Sequence, residues 1–202
     1  MTQFLSRESC EAAAMRLLIR HQIQTGARLA LPIDVDLVGE LTCGLTWDWE
    51  PMPDEQDRII WARLVPAARR VDMNERYASD LRHNQGLDRF TRGHEIGHWE
   101  LHAVHPVPNQ LILFPVEAPT TETVFCRGRD ESWQEKQADW FAAALLMPAD
   151  VFLTAVRQFN LMTPEDLGAL KRMCDVSWAA LTIRLKTLGV PHVDRQKCSP
   201  LA

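Results

Sequence analysis

No stretch of the 202-residue chain is apolar for the roughly 20 residues that a membrane-crossing helix needs. The first residues, Met1-Thr2-Gln3-Phe4-Leu5-Ser6-Arg7, lack the basic start and continuous apolar run of a secretion signal. A cytoplasmic protein with no membrane partner is therefore expected. Paired cysteines are missing as well. The five present, Cys10, Cys43, Cys126, Cys174 and Cys198, are odd in number and scattered, with no CxxC, so they read as reduced thiols and exclude a disulfide frame or a cysteine zinc site. Basic charge is not in excess either. A net charge of −5 offers no overall attraction to a nucleic-acid backbone and leaves a local basic patch as the route to DNA.

What remains is the composition of an ordinary globular protein, 46% hydrophobic and 24% charged, long enough for one domain with a small appended subdomain. Residues Cys10 to Gln24 place Ala14, Leu17, Leu18 and Ile23 at helical spacing before Gly26. Asp34 can cap a further helix, and Cys43 to Trp49 reads as a short strand. Ile59 to Val65 and Arg70 to Asn74 form a hairpin around Pro66. Asp88 can cap a helix running to about Val104, which Pro106 ends. The proline-interrupted stretch Pro106 to Ser132 reads as an irregular arm with two extended pieces, Leu111 to Phe114 and Thr123 to Cys126. Trp133 to Leu146 is alanine-rich and helical, and helices near Asp150 to Phe159, Pro164 to Met173 and Ser177 to Leu188 complete the chain. Helices around a few strands, without regular β-α alternation, make the fold class α+β.

The chemistry lies in His94-Glu95-Ile96-Gly97-His98. On a helix, residues four apart share a face, so His94 and His98 can each bring a ring nitrogen about 2.0–2.1 Å from one zinc ion. Glu95 stands one step round the helix, where a carboxylate can take a proton from the attacking water. A third ligand is needed. His105 is one candidate, but a metzincin would require glycine at 101 and histidine at 104, where this chain has Leu101 and Val104. His102 lies about 12 Å along the axis from His94, too far to share its ion. The other source is Glu135-Lys136-Gln137-Ala138-Asp139, in which Glu135 and Asp139 share a helix face. One of the two can bind metal while the other accepts the free N–H of a ligating histidine. The small residues Gly97, Ala138 and Ala142 suit two closely packed helices.

The two blocks Arg89-Phe90-Thr91-Arg92-Gly93-His94-Glu95-Ile96-Gly97-His98-Trp99-Glu100-Leu101-His102 and Glu135-Lys136-Gln137-Ala138-Asp139-Trp140-Phe141-Ala142-Ala143-Ala144-Leu145-Leu146-Met147-Pro148 resemble the ImmA/IrrE family of metallopeptidases, with its RFTxAHExGHxxLH and ExxANxFAxxLLMP patterns. A weaker resemblance extends from about Leu31 to Gly189. It implies a zinc-dependent, gluzincin-like endopeptidase holding one Zn2+ through His94, His98 and Glu135, with Glu95 as the base. The family's substrates, known or proposed, are helix-turn-helix repressors whose cleavage derepresses mobile-element or stress-response genes. Gly93 departs from the common alanine, and Asp139 from the common asparagine, placing a charged partner behind a ligating histidine. Three segments follow: an N-terminal helix (1–30), a zincin-like peptidase domain with a small β-sheet and the HExxH helix (31–148), and a C-terminal helical, helix-turn-helix-like subdomain (149–202).

Several roles stay open on the residues alone. Cys126 in the arm is a thiol that would silence the zinc if it reached the open position, or else a buried structural cysteine. Candidates for stabilising an oxyanion are His102, His105, Arg127 and Tyr77, and an extended substrate is expected to pair with Ile59 to Val65 or Arg70 to Asn74 as an exposed edge. Arg184 and Lys186 give the last helix a weak DNA-reading character, while Leu181, Ile183 and Leu185 suit packing. The alternative to a peptidase is a metal-dependent sensor or regulatory binding module without proteolysis. Glu95 discriminates, because a purely structural site has no use for a base.

Overall fold

Ser6 begins the first helix, α1 (Arg7–Thr25), by accepting a hydrogen bond from the Ser9 N–H on its hydroxyl, and Gly26 ends it in the left-handed conformation. Cys10, Ala13, Ala14, Leu17, Leu18 and His21 fall on one buried stripe. Ile23 does not join them: five positions beyond Leu18 it has turned off the stripe, and it is 79% exposed. The structure, a computed structural model, describes residues 5–54, 59–103, 124–127 and 133–193. The expected strand Leu111 to Phe114 and most of the expected arm lie outside the described residues.

Asp34 caps the short helix α2 (Val35–Leu37), which continues as a π-helical segment, Val38–Cys43. Cys43 thus closes a helix, and the strand expected from it begins later, as β1 (Thr46–Glu50). The hairpin is found as β2 (Ile60–Val65) and β3 (Arg70–Asn74), joined by a single turn of 3-10 helix over Pro66–Ala68. The fourth strand, β4 (Val124–Arg127), corresponds to the second extended piece. The sheet order is β1-β3-β2-β4, with β1 parallel to β3 and the other two pairings antiparallel. β2 and β3 therefore each have a neighbour on both sides. The expectation that one of them is an edge for substrate is corrected: among the described residues the edges are β1 and β4.

On β2 the alternate residues Ile60, Ala62 and Leu64 are buried, joined by Val71 and Met73 of β3. Full burial of each larger side chain contributes about 1.5–3 kcal/mol. Asp72 on β3 is fully buried and is held by Arg63 and Arg70 at 2.7 and 2.6 Å, so its charge is not left alone in the sheet. After α3 (Ala78–His83) comes α4 (Gln85–Leu101), which packs against β2 and β4 on one side and α1 and α5 (Trp133–Leu146) on the other. The cap of α4 is Asn84, whose side chain accepts from the Leu87 N–H, while Asp88 pairs within the helix with Arg92 at 3.0 Å.

The remaining helices are α6 (Ala149–Val156), α7 (Pro164–Cys174) and α8 (Trp178–Thr187). A pair of helices is present where the helix-turn-helix rhythm predicts one, and part of its surface is engaged within the chain. Gly86 of α4 lies so close to the link between α7 and α8 that a Cβ there would come within 2.4 Å of the Ser177 nitrogen. The N-terminal end of α8, which in a DNA-reading pair enters the groove, is thus packed against α4. Arg184 is 2% exposed, donating to the Met147 carbonyl at 3.0 Å and pairing with Glu11 of α1 at 2.9 Å. Ile183, expected to pack, is instead 58% exposed. One buried cluster runs from Cys10 through the sheet and α4–α5 to Leu185. No described helix is long and apolar enough to cross a membrane alone.

Candidate metal centre

Two helices build the site, and small residues let them approach. A Cβ on Gly97 of α4 would sit 3.1 Å from the Cα and carbonyl oxygen of Ala138 on α5, and one on Gly93 would rest 3.5 Å from the Ala142 Cβ. This contact sets the buried face of α4, with His94, Glu95 and His98, over the buried face of α5, with Glu135 and Ala138.

His94 and His98 point their Nε2 atoms at each other, 2.9 Å apart. Glu135 completes a triangle, with Oε2 3.2 Å from His94 Nε2 and Oε1 3.1 Å from His98 Nε2. All three residues are buried, and among the described residues they form a group that could hold a metal ion. The separations fit that use. Donors bound to one tetrahedral ion at about 2.0–2.1 Å lie roughly 3.3 Å apart, close to the spacing here. Two imidazole nitrogens facing one carboxylate, all withdrawn from water, are the donor set of a divalent metal ion such as zinc.

The electrostatics agree. Burial pushes the His98 ring down to about 4, further than the Glu135 hydrogen bond can restore, so at neutral pH it is an uncharged donor. Burial raises the Glu135 carboxyl, but the hydrogen bonds to His94 and His98 outweigh it and bring it to about 2. Burial likewise lowers His102. A neutral imidazole and an ionised carboxylate are the forms that bind metal.

Each site residue expected from sequence has a definite place. Glu95 is fully buried, one position after His94. Asp139 accepts from His94 Nδ1 at 2.8 Å, so of the two carboxylates on α5 it is Glu135 that joins the triangle and Asp139 that stands behind a histidine. His102 stays outside the triangle, as its axial distance requires, but sequence reasoning missed its contact with His98, Nδ1 to Nδ1 at 3.0 Å, and the partner beyond it, Gln137, at 3.0 Å from Nε2. The repeat of histidine at 94, 98 and 102 was the available signal for the first contact; nothing local to Gln137 marked the second. Of the oxyanion candidates, His102 is engaged in this way and the Tyr77 hydroxyl donates to Asp54. His105 and the side chains of Cys126 and Arg127 lie outside the described residues. Cys10, Cys43 and Cys174 are free and buried, and burial raises all three thiols, Cys10 to about 11 and Cys174 to about 12.

Residues 79–186, over half the chain, match the family Peptidase_M78, described as the IrrE N-terminal-like domain. The match runs from α3 to α8 and contains both helices of the site. Among curated proteins none matches the chain.

Proposed function

The chain belongs to the Peptidase_M78 family of IrrE N-terminal-like domains, a metallopeptidase family, and from that membership we propose that it is a zinc-dependent endopeptidase whose substrate is a helix-turn-helix repressor. The observation that carries the catalytic part is the buried triangle of His94 Nε2, His98 Nε2 and Glu135, with Glu95 on the same turn of α4. These three residues would hold the metal. Bound there, zinc would lower the pKa of a water and polarise a peptide carbonyl.

The protein's own groups do the rest. The Glu95 carboxylate takes the proton from the attacking water and returns it to the leaving amine nitrogen, a transfer worth about 10²–10⁴ in rate. Asp139 keeps His94 protonated on Nδ1 and so holds its Nε2 free. β4 is the substrate edge in this reading. Among the described residues its outer side is unpaired, and it packs beside α4, so an extended segment could add to the sheet there. The repressor identity rests on the resemblance to ImmA/IrrE peptidases.

Purified protein should contain about one zinc, and Glu95→Gln should retain it while losing cleavage of a repressor encoded nearby by two or more orders of magnitude. Full cleavage by Glu95→Gln would sink the mechanism. Cleavage absent from wild type and variant alike, with zinc bound, would favour a metal-dependent binding module.

A further inference from the structure

Four polar groups run in line from the metal site to the start of α1. His98 Nδ1 lies 3.0 Å from His102 Nδ1, His102 Nε2 lies 3.0 Å from Gln137 Oε1, and Gln137 Nε2 donates to the Leu5 carbonyl at 3.2 Å. Gln137 is 2% exposed, so its amide has little access to water as a substitute partner.

Each of these contacts has room for one proton, and the direction at one end therefore dictates the others. A backbone carbonyl can only accept. Leu5 draws the Gln137 NH₂ toward itself and turns Oε1 to His102; the flipped amide would set two oxygens face to face. Oε1 also only accepts, so His102 carries its proton on Nε2 and presents a lone pair on Nδ1. Facing that lone pair, His98 carries its proton on Nδ1. Its Nε2, the atom in the triangle, is left with the lone pair a metal ion requires.

The selection matters because Glu135 pulls the other way. Without metal, Glu135 Oε1 at 3.1 Å would draw a proton onto His98 Nε2 and close that atom to coordination. We propose that His102 and Gln137 are positioning residues which, anchored on the Leu5 carbonyl, select the metal-binding tautomer of His98. The residue before the α1 cap thereby becomes part of the metal site. This inference rests on the metal-site reading above.

The test uses the zinc-loaded full chain, with zinc affinity measured by competition against a chelator and the imidazole protons located from two-bond ¹⁵N–¹H correlations. Gln137→Met preserves the approximate volume and removes both polar ends. It should lower zinc affinity about tenfold or more, while Gln137→Glu, whose protonated carboxyl can donate to the Leu5 carbonyl and still accept from His102, should recover most of the loss. In the wild type, His102 should carry its proton on Nε2. An unchanged affinity in Gln137→Met overturns the relay alone, whereas failure of the wild type to bind zinc overturns the metal site and the relay together. Should Gln137→Met not fold, the wild-type spectrum decides, since a His102 proton on Nδ1 reverses the chain and defeats the proposal.

Discussion

An imidazole can ligate through one nitrogen only if its proton sits on the other, so every ligating histidine needs an acceptor behind it. His94 meets this need with a carboxylate that is itself 54% exposed, and His98 with a chain of neutral groups, half-buried at His102 and buried at Gln137. The two arrangements should respond differently to loss. Asp139→Asn keeps an acceptor oxygen for His94 and should leave zinc affinity within a few fold of wild type. Asp139→Ala should cost about tenfold at most, because water can reach the vacated position and accept the same proton. Chelator competition on the three proteins decides it; a loss in Asp139→Asn as large as in Asp139→Ala would mean that the charge of Asp139 matters more than its acceptor oxygen. These residues also show what is legible before a structure is seen. His94, His98, Glu135 and Asp139 lie on two helices at four-residue spacing, so their faces follow from helix geometry alone. Gln137 was not legible, since its role depends on Leu5, which meets it across 132 positions of chain.

At the scale of elements, the closeness of α4 to α5 governs the triangle, because Glu135 is fixed by where α5 lies. Gly97 and Gly93 separate two effects that usually mix. Alanine at either position gains up to about 1 kcal/mol of helix propensity. At 93 the added Cβ meets the Ala142 Cβ at 3.5 Å, an ordinary contact, so Gly93→Ala should stabilise the metal-free protein by up to that amount. At 97 it meets the Ala138 backbone at 3.1 Å, which cannot turn aside as a side chain can. Gly97→Ala should therefore be net destabilising, by about 1–3 kcal/mol, and should weaken zinc binding as α5 shifts. Urea unfolding of both variants checks this, and a more stable Gly97→Ala would show that the helix contact is looser than described. Most of the helices were legible from caps, prolines and periodicity, to within a few residues, but the short α3 was not. The sheet order was not. Adjacent strands joined by a turn announce their pairing, as β2 and β3 do, but β1 and β4 reach their places by connections that carry no local signal, so the sequence of the hairpin does not show that both its outer sides are covered.

At the scale of the whole molecule, one buried cluster from Cys10 to Leu185 ties the site to overall stability. Protonating a site residue should then be felt in the folding equilibrium, and the sign can be worked out. In the unfolded chain His98 titrates near 6.5, but burial in the native protein lowers it to about 4. Below 6.5 the unfolded state takes up a proton that the native state resists, so the stability conferred by the neutral ring is full above that pH and is lost as pH falls toward 4. Glu135, brought from 4.5 to about 2, acts in the same direction lower down: its contribution is present above 4.5 and lost as pH falls through 2. The metal-free protein should therefore weaken progressively from pH 7 to pH 4, with His98, joined by His102, responsible for the upper part of the slope. The total is a few kcal/mol at most. Zinc should flatten the upper part, since a ligand that binds only the native state adds about 4 kcal/mol at a thousandfold excess over its dissociation constant, until the acid displaces it from the histidines. Urea midpoints measured at intervals across this range, with and without zinc, test both limbs. A metal-free midpoint that stays level from pH 7 to pH 4.5 would show that His98 is not buried as a neutral ring, and a His98→Gln protein that keeps the wild-type slope would assign the titration to another group.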